Sequence, residues 1–482
     1  MPNIAAIDVG SNAIRLLLVT FNRYGIEKSR RFVRYPLRLG SDVFTNQYIL
    51  PKTEFKLLEI FSDIALKLKN AKTEHYRAVA TSAMRDAKNG ADIIKHIYKK
   101  TMVRVEIISG QEESTLSRSA LLQAVGHVSP LTLLIDLGGG SLEVQQAKQT
   151  KGKSLPFGTV RIAAQHPKLC AVIKAAELEN ETKKICLKIA RKIGEKESTP
   201  LAIGTGGNLD VLSKLAPNTR TSLPSIEIKK LNTLANKLGK RDIKERQENY
   251  RLRSDRADII LPALVIIQAL GKIYGLKKIL VPGTGLREAL LENLSQRHAH
   301  ERVGNPTQAL KNKTKPWTKS GNRLTKLFSQ LRPIHHLWGS ALELCYFALL
   351  YRVEMRQQEP TLISASENMN GDPAYKLTDA QKRDLKYILY KTQPKDTLNI
   401  PGPPNHQNRQ ACKKLAAICA LHFWHESQNP LDAPKISFDN QLVIMSFTHR
   451  AVPPKHIKTA LERTLRRKIK FSYQRSQTSD VT

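Results

Sequence analysis

The sequence predicts two α/β lobes facing each other across a phosphate-binding cleft, followed by a helical domain with a small α/β appendix. Three observations carry that expectation. Residues 131–144, LTLLIDLGGGSLEV, form a strand–Asp–glycine unit; residues 4–19, IAAIDVGSNAIRLLLV, repeat its plan; and strands alternate with helices as far as residue 294. In the first of these units, four apolar residues among the five before Asp136 read as a buried strand. Gly138, Gly139 and Gly140 can then turn tightly and offer backbone N–H groups to an anion, with Ser141 and Glu143 following. Asp136, at the strand end, is placed to hold a divalent cation or a metal-bound water. Alone, the stretch reads equally as a glycine-rich hairpin turn. The second copy, with Asp8, Gly10 and Ser11, points to two similar lobes around one phosphate.

Paired loops of this kind resemble those of the superfamily of actin, sugar kinases and heat-shock chaperone ATPases. The resemblance implies two actin-like (ribonuclease H-like) lobes.

The remaining elements follow in order. Residues 30–44 read as extended, with turns at Pro36 and Gly40. An amphipathic helix over 55–68 lies behind Pro51, and a short strand over 76–80 precedes TSAMRDAKNG, where Thr81 or Ser82 caps a helix carrying Arg85. An arginine there lies where α/β sheets bind ligands, although an exposed helix arginine paired with Asp86 fits as well. A strand over 103–108 leads into SGQEES, where Ser109 and Glu112 suit a capping box. That leaves Glu113 either as a surface residue or as a carboxylate that orients or deprotonates water at a phosphate cleft. Residues 154–163 read as a strand turning into a helix, 174–195 as a basic helix, and 201–216 as a third strand–glycine–helix junction. A buried helix begins near Pro262, and 277–294 close the α/β part with a strand, a turn and a helix. Beyond a polar, basic linker at 305–326, helices are expected over 327–356, 379–392 and up to about residue 425. A strand pair, a basic helix from Pro454 and a KIKFSY strand end the pattern, and the last seven residues are expected to fray.

Composition bounds the function. The 482 residues suffice for about three domains, and 41% apolar content supports real cores. Five cysteines without C-x-x-C spacing argue against a disulfide framework or a zinc site, which favours a reducing cytoplasm. The N-terminus lacks the pattern of a signal peptide, and the apolar run over 259–270 reads as too short for a membrane span. The formal net charge is +36, and residues 301–482 alone carry 29 Lys and Arg against 14 Asp and Glu. Such a field attracts polyanions, although scattered solvated lysines would give the same total.

In order along the chain, AAIDVGSNAIRLLL, ATSAMRDAKNG, VEIISGQEES, LLIDLGGGSLEV, SLPFGTVR, GTGGN and GLREALL resemble the motifs of the exopolyphosphatase and guanosine pentaphosphate phosphohydrolase family. The resemblance covers roughly residues 4–295. It implies hydrolysis of a terminal phosphoryl group with Mg²⁺ between two lobes. Glu113 takes the catalytic position, and Asp136 and Glu143 are the acidic residues of the second loop. Asp8 joins these two as metal ligands, while Ser11, Asn12, Arg85, Gly138, Gly139, Gly140 and Ser141 contact phosphate. Leu142 replaces the threonine usual after Ser141, so one hydroxyl contact is expected to be missing. The resemblance also implies domains at 1–125 and 126–304 for the lobes, then a degenerate HD-like helical domain at 327–430 and a small α/β segment at 431–482. Leu350 and Tyr351 stand in place of the HD pair, and His335 and His336 lack acidic partners, so no second hydrolase centre is expected. The expected partner is inorganic polyphosphate, with guanosine pentaphosphate as the alternative, and a homodimer is compatible with the family. An idle relative that binds polyanions would be expected to have lost Glu113 or Asp136.

Overall fold

The computed structural model describes residues 3–21, 27–125, 128–194, 196–218 and 223–302, and from 322 onward the residues 322–331, 345, 348, 385, 387–388, 391–392, 406–428, 433–439, 442–447 and 452–473. Of the linker expected at 305–326, residues 305–321 lie outside them, as do His335, His336, Leu350, Tyr351 and the fraying tail; residues 322–326 are helical instead, in a segment that continues to Leu331.

Two sheets carry the α/β part. The first contains β1 (Asn3–Val9), β2 (Ile14–Phe21), β3 (Glu27–Tyr35), β4 (Thr73–Ala80) and β5 (Val105–Ile107), in the spatial order β3-β2-β1-β4-β5. The second contains β6 (Leu133–Leu137), β7 (Leu142–Gln146), β8 (Lys153–Leu155), β9 (Leu201–Thr205), β10 (Ser225–Glu227) and β11 (Lys278–Leu280). Read from β8, its order is β8-β7-β6-β9-β11-β10. Each sheet therefore starts as an antiparallel meander and continues through parallel strands beside its first strand. The repeat seen in the sequence is a repeat of topology, in two α/β lobes as expected.

Alternation along β1 explains how the site is placed. Ala5, Ile7 and Val9 face a core with the helix Pro51–Asn70, while Ile4 and Ala6 face a second core with Leu116, Ala120 and Leu290. Asp8 shares the parity of Ile4 and Ala6, so it emerges on the side of the helix Gly110–Val125, which bears Glu113.

Several expectations are corrected. Residues 39–46 form a helix (Leu39–Asn46) where an extended segment was expected, because Gly40 packs directly under Ser11 and Gly40 N–H donates to the Ser11 carbonyl at 2.9 Å. The capping box is only half made: Glu112 N–H donates to the Ser109 hydroxyl oxygen at 3.1 Å, while the Glu112 carboxylate pairs with Arg77 at 2.6 Å. The second lobe does not extend to 304 by packing. The helix Leu286–Arg302 lays Leu286, Leu290 and Leu294 on the first sheet, tying the chain back across both lobes. Finally, the 21 residues from Ser254 to Tyr274 are long and apolar enough to cross a membrane by composition, more than the run alone suggests, yet 83% of the most apolar window is buried inside the lobe. That is the position of a core helix.

In the C-terminal part, β12 (Lys435–Asp439), β13 (Leu442–Phe447) and β14 (Lys468–Tyr473) form one sheet with the helix Lys455–Leu465. Ile436, Val443 and Leu461 share a core with Phe328, Leu415 and Ile418 of the helical segments. The small α/β element is thus part of the helical unit's core rather than an appendix to it.

Candidate active site

The two phosphate loops are built alike. Gly10 N–H donates to the Ala13 carbonyl and Gly138 N–H to the Ser141 carbonyl, both at 3.1 Å, closing turns of equal length. Strand register makes Asp8 face Arg15 and Asp136 face Glu143. Position by position, Ser11 therefore matches Gly139, Ala13 matches Ser141, and Arg15 matches Glu143. The serines that appear to repeat in the sequence are not equivalent. The loops abut: a Cβ on Gly139 would lie 3.1 Å from the Ser11 Cβ, and one on Gly140 would lie 2.3 Å from the Ser82 hydroxyl. Only glycine permits that approach.

The helix Thr159–Gln165 holds the second loop from behind. The amide of Thr159 donates to the Gly138 carbonyl at 3.1 Å and that of Val160 to the Gly139 carbonyl at 2.7 Å. N-terminal helix amides usually await an anion; here they bind the loop's carbonyls. Arg161 completes the clamp. Its Nε donates to the Gly140 carbonyl at 2.8 Å, its guanidinium lies 3.9 Å from the ring centroid of Phe44, and it pairs with Asp86 of the first lobe. Asp86, the sequence-level partner offered for Arg85, is thus taken by Arg161.

A cleft of about 570 Å³ runs along these loops, and Asp8, Ser11, Asn12, Glu113, Asp136 and Gly138 are in its wall. Gly139 and Ser141 line it as well. Among the expected site residues, Arg85, Gly140 and Glu143 stand behind the lining. Arg85 anchors to the Ile108 carbonyl at 2.7 Å and reaches Glu113 Oε2 at 3.4 Å, so it holds the carboxylate. Glu143 is buried and accepts from the Ser154 hydroxyl at 2.8 Å, while its Oε2 has no hydrogen-bond partner. Ser117, one turn beyond Glu113, donates to Asp136.

Crowding sets the electrostatics. Burial raises the Glu113 carboxyl well above the usual carboxylate range; Glu143 and Asp136 add to the rise, and Arg85 opposes it. Loss of water around Asp136 lifts it to about 6 against the Ser117 hydrogen bond, with Asp8 adding to the rise. Burial, then Asp136, lifts Glu143 to about 8.

Sequence reading missed the cationic wall. Arg15, Arg30, Arg34, Arg253, Arg256 and Lys214 also line the cleft. Arg256 is buried, donates through Nη1 to Asn208 Oδ1 at 2.8 Å, and is lowered to about 9 chiefly by desolvation. Nothing local distinguishes these arginines from the chain's other basic residues. The one available signal was the segment RLRSDRAD, whose alternating charges precede the apolar helix.

The sequence model of the Ppx/GppA phosphatase family matches residues 34–298, more than half of the chain. The chain belongs to the Ppx/GppA phosphatase family. Among curated proteins, Exopolyphosphatase 1 of Mycobacterium tuberculosis is 30% identical over 165 residues, 34% of this chain and 48% of that protein. The match thus spans about half the length of that relative. The guanosine-5'-triphosphate,3'-diphosphate pyrophosphatase of Aeromonas hydrophila is 24% identical over 421 residues, 81% of this chain and 80% of that protein. The crystal structure of the Aquifex aeolicus Ppx/GppA family member shares the fold with a TM-score of 0.52 at 20% identity, covering 62% of this chain and 98% of that one. An exopolyphosphatase from Cytophaga hutchinsonii gives 0.51 at 22% identity, covering 61% and 97%.

The three ligands expected for a metal in this Ppx/GppA chain, Asp8, Asp136 and Glu143, do not assemble. Asp8 Oδ2 is held by Arg15 at 2.7 Å and Glu143 lies under the floor; among the described residues no group of three His, Cys, Asp or Glu could hold an ion alone. Asp136 nonetheless reaches the wall as a hard oxygen donor beside other carboxylates that raise one another. That set fits Mg²⁺, which uses one or two carboxylates and takes its other ligands from water and phosphate.

The raised carboxyls have a stability consequence. Glu143, shifted from its ordinary 4.5 to about 8, binds a proton in the folded chain that the unfolded chain has already released. The resulting stabilisation is present below about pH 4.5 and is lost as pH rises through 8. In chelator, Tm is expected to fall between pH 6 and 9, and Glu143→Gln is expected to flatten that fall. Parallel melting curves of both proteins check it.

Proposed function

We propose that this phosphatase-family chain is an exopolyphosphatase, releasing terminal orthophosphate from inorganic polyphosphate with Mg²⁺. The observation that carries the reading is the position of Glu113: a buried carboxylate in the cleft wall, braced by Arg85, beside two glycine loops and an arginine-lined mouth. Attack on a phosphoanhydride needs a positioned water and neutralised charge more than a strong nucleophile. Glu113 positions the water and accepts its proton at a carboxylate oxygen, helped by an affinity for protons raised by its surroundings. The loop amides orient the terminal phosphate, and the arginines attract the rest of the chain. Mg²⁺, held by Asp136 with phosphate oxygens, would offset negative charge on the reacting group.

Guanosine pentaphosphate is the second reading, favoured by the longer match to the Aeromonas hydrophila protein. Phosphate release from long-chain polyphosphate and from guanosine pentaphosphate, each at matched Mg²⁺, separates the two. The expected result is faster turnover of polyphosphate. Turnover of the nucleotide alone would replace the first reading with the second. Binding of polyphosphate without release from either would mark a polyanion-binding relative.

A further inference from the structure

At the mouth of the cleft a carboxylate occupies a cage of arginine and amide donors. Asp255, in the second lobe, pairs with Arg34 of β3, and Arg253 Nε lies 3.3 Å from its Oδ1. Asn12 of the first glycine loop donates to Asp255 Oδ2 at 3.2 Å, and Arg256 Nε stands 3.9 Å from that oxygen. The cage is richer in donors than one carboxylate can use. Arg256 is 5% exposed and its Nε has no hydrogen-bond partner, nor does the buried Nε of Arg34. Arg15 lies near enough to act on Arg256 as well, so several arginines gather around one acid. All of these groups except Asp255 line the cleft.

We infer that Asp255 is an internal anion that fills a subsite for a non-terminal phosphate, and that a polyphosphate chain displaces it to bind. This rests on the reading of the cleft as a polyphosphate site. The geometry suits the exchange, because an internal phosphate unit carries one negative charge on two non-bridging oxygens, as a carboxylate does, while the units on either side of it bring further acceptor oxygens to donors that Asp255 leaves unmatched, such as Arg34 Nε and Arg256 Nε. The displacement also loosens one of the fastenings between the lobes. Another, Arg38 of the first lobe on Asp258, adjoins the cage without touching the Asp255 carboxylate: Arg38 Nη2 donates to Asp258 Oδ1 and to the Asp255 backbone carbonyl, both at 3.0 Å, Nε donates to Asn12 Oδ1 at 2.8 Å, and Nη1 pairs with the other Asp258 oxygen. Arg161 with Asp86 provides a further one. Removing the Asp255 charge therefore leaves the lobes joined while it exposes the cage.

The test is calorimetric titration of inorganic tripolyphosphate into wild type, Asp255→Asn and Asp258→Asn, in chelator so that no turnover occurs. Asp255→Asn is expected to bind about tenfold more tightly than wild type, with a steeper salt dependence. Asp258→Asn, which weakens a fastening and leaves the Asp255 carboxylate in the cage, is expected to bind no more tightly than wild type. Asp255→Ser, smaller and equally uncharged, is expected to repeat the gain and serves if the amide variant misfolds. Equal or weaker binding by both Asp255 variants, with wild type binding normally, overturns the inference and leaves the polyphosphate reading standing. Equal gains in the Asp255 and Asp258 variants also overturn it, since lobe release alone would then explain them. Absence of binding by every protein overturns both.

Discussion

Glu113→Gln is expected to lower phosphate release from polyphosphate by about 10³-fold, within the usual range for loss of a general base. The amide matches the carboxylate in size and can still meet Arg85 Nη1 through its oxygen, where the ion pair now measures 3.4 Å. It cannot accept a proton from water. Removing a buried acid whose protonated form is favoured by burial and by Glu143 and Asp136 costs little stability. The variant should therefore melt at or above the wild-type temperature and retain tripolyphosphate binding. Single-turnover phosphate release and calorimetry separate the two effects. Unchanged turnover would remove Glu113 from the reaction, and loss of binding together with turnover would make it a binding residue.

The second large effect is expected from Gly158→Ala, at the glycine of the SLPFGTVR motif, to which the sequence reading gave no role of its own. A Cβ there would sit 2.3 Å from the backbone N and C of Gly140 and 2.4 Å from the Gly139 carbonyl carbon. Backbone atoms cannot rotate away as a side-chain end does, so the second phosphate loop must shift. The amides of Thr159 and Val160 now hold the loop's carbonyls, and a shift would break that clamp. Overpacking of this kind costs about 1–3 kcal/mol, and a loop displaced by about 1 Å loses about 10²-fold in rate. The variant is expected to melt several degrees lower and to release phosphate about 10²-fold more slowly, with the Glu113 environment intact. Melting curves and steady-state release check both; wild-type rates would show that the loop tolerates the shift. Gly194, with nothing within 4 Å of its Cβ position, is the comparison site where an added methyl meets only the strain of a φ of +69°.

Much of the catalytic half was legible in the chain. Leu133, Ile135 and Leu137 announce a buried strand by composition, and the glycines after Asp136 announce a turn by what they lack. Glu113 was legible only through its motif, since its own helix gives no sign that one of two adjacent glutamates points inward. Its burial comes from Arg85 and the second sheet. Arg85 was read as a phosphate contact and stands behind the carboxylate, a distinction made by the 2.7 Å hydrogen bond to Ile108. The helix at 39–46 was missed because its cause is the packing of Gly40 on a loop some 30 residues earlier, not a local pattern.

By itself, the sequence determined the repeated strand–loop plan, the acids near the loops and the predominance of positive charge, because each is written in neighbouring residues. Tertiary structure alone decided which acids face the cleft, which serves as an internal anion, and which of 78 basic residues form its wall. Arg34 and Asp255 meet across 221 positions, and Arg38 and Asp258 across 220. Charge attraction is unspecific in sequence; only strand pairing and helix packing bring one particular arginine to one particular acid.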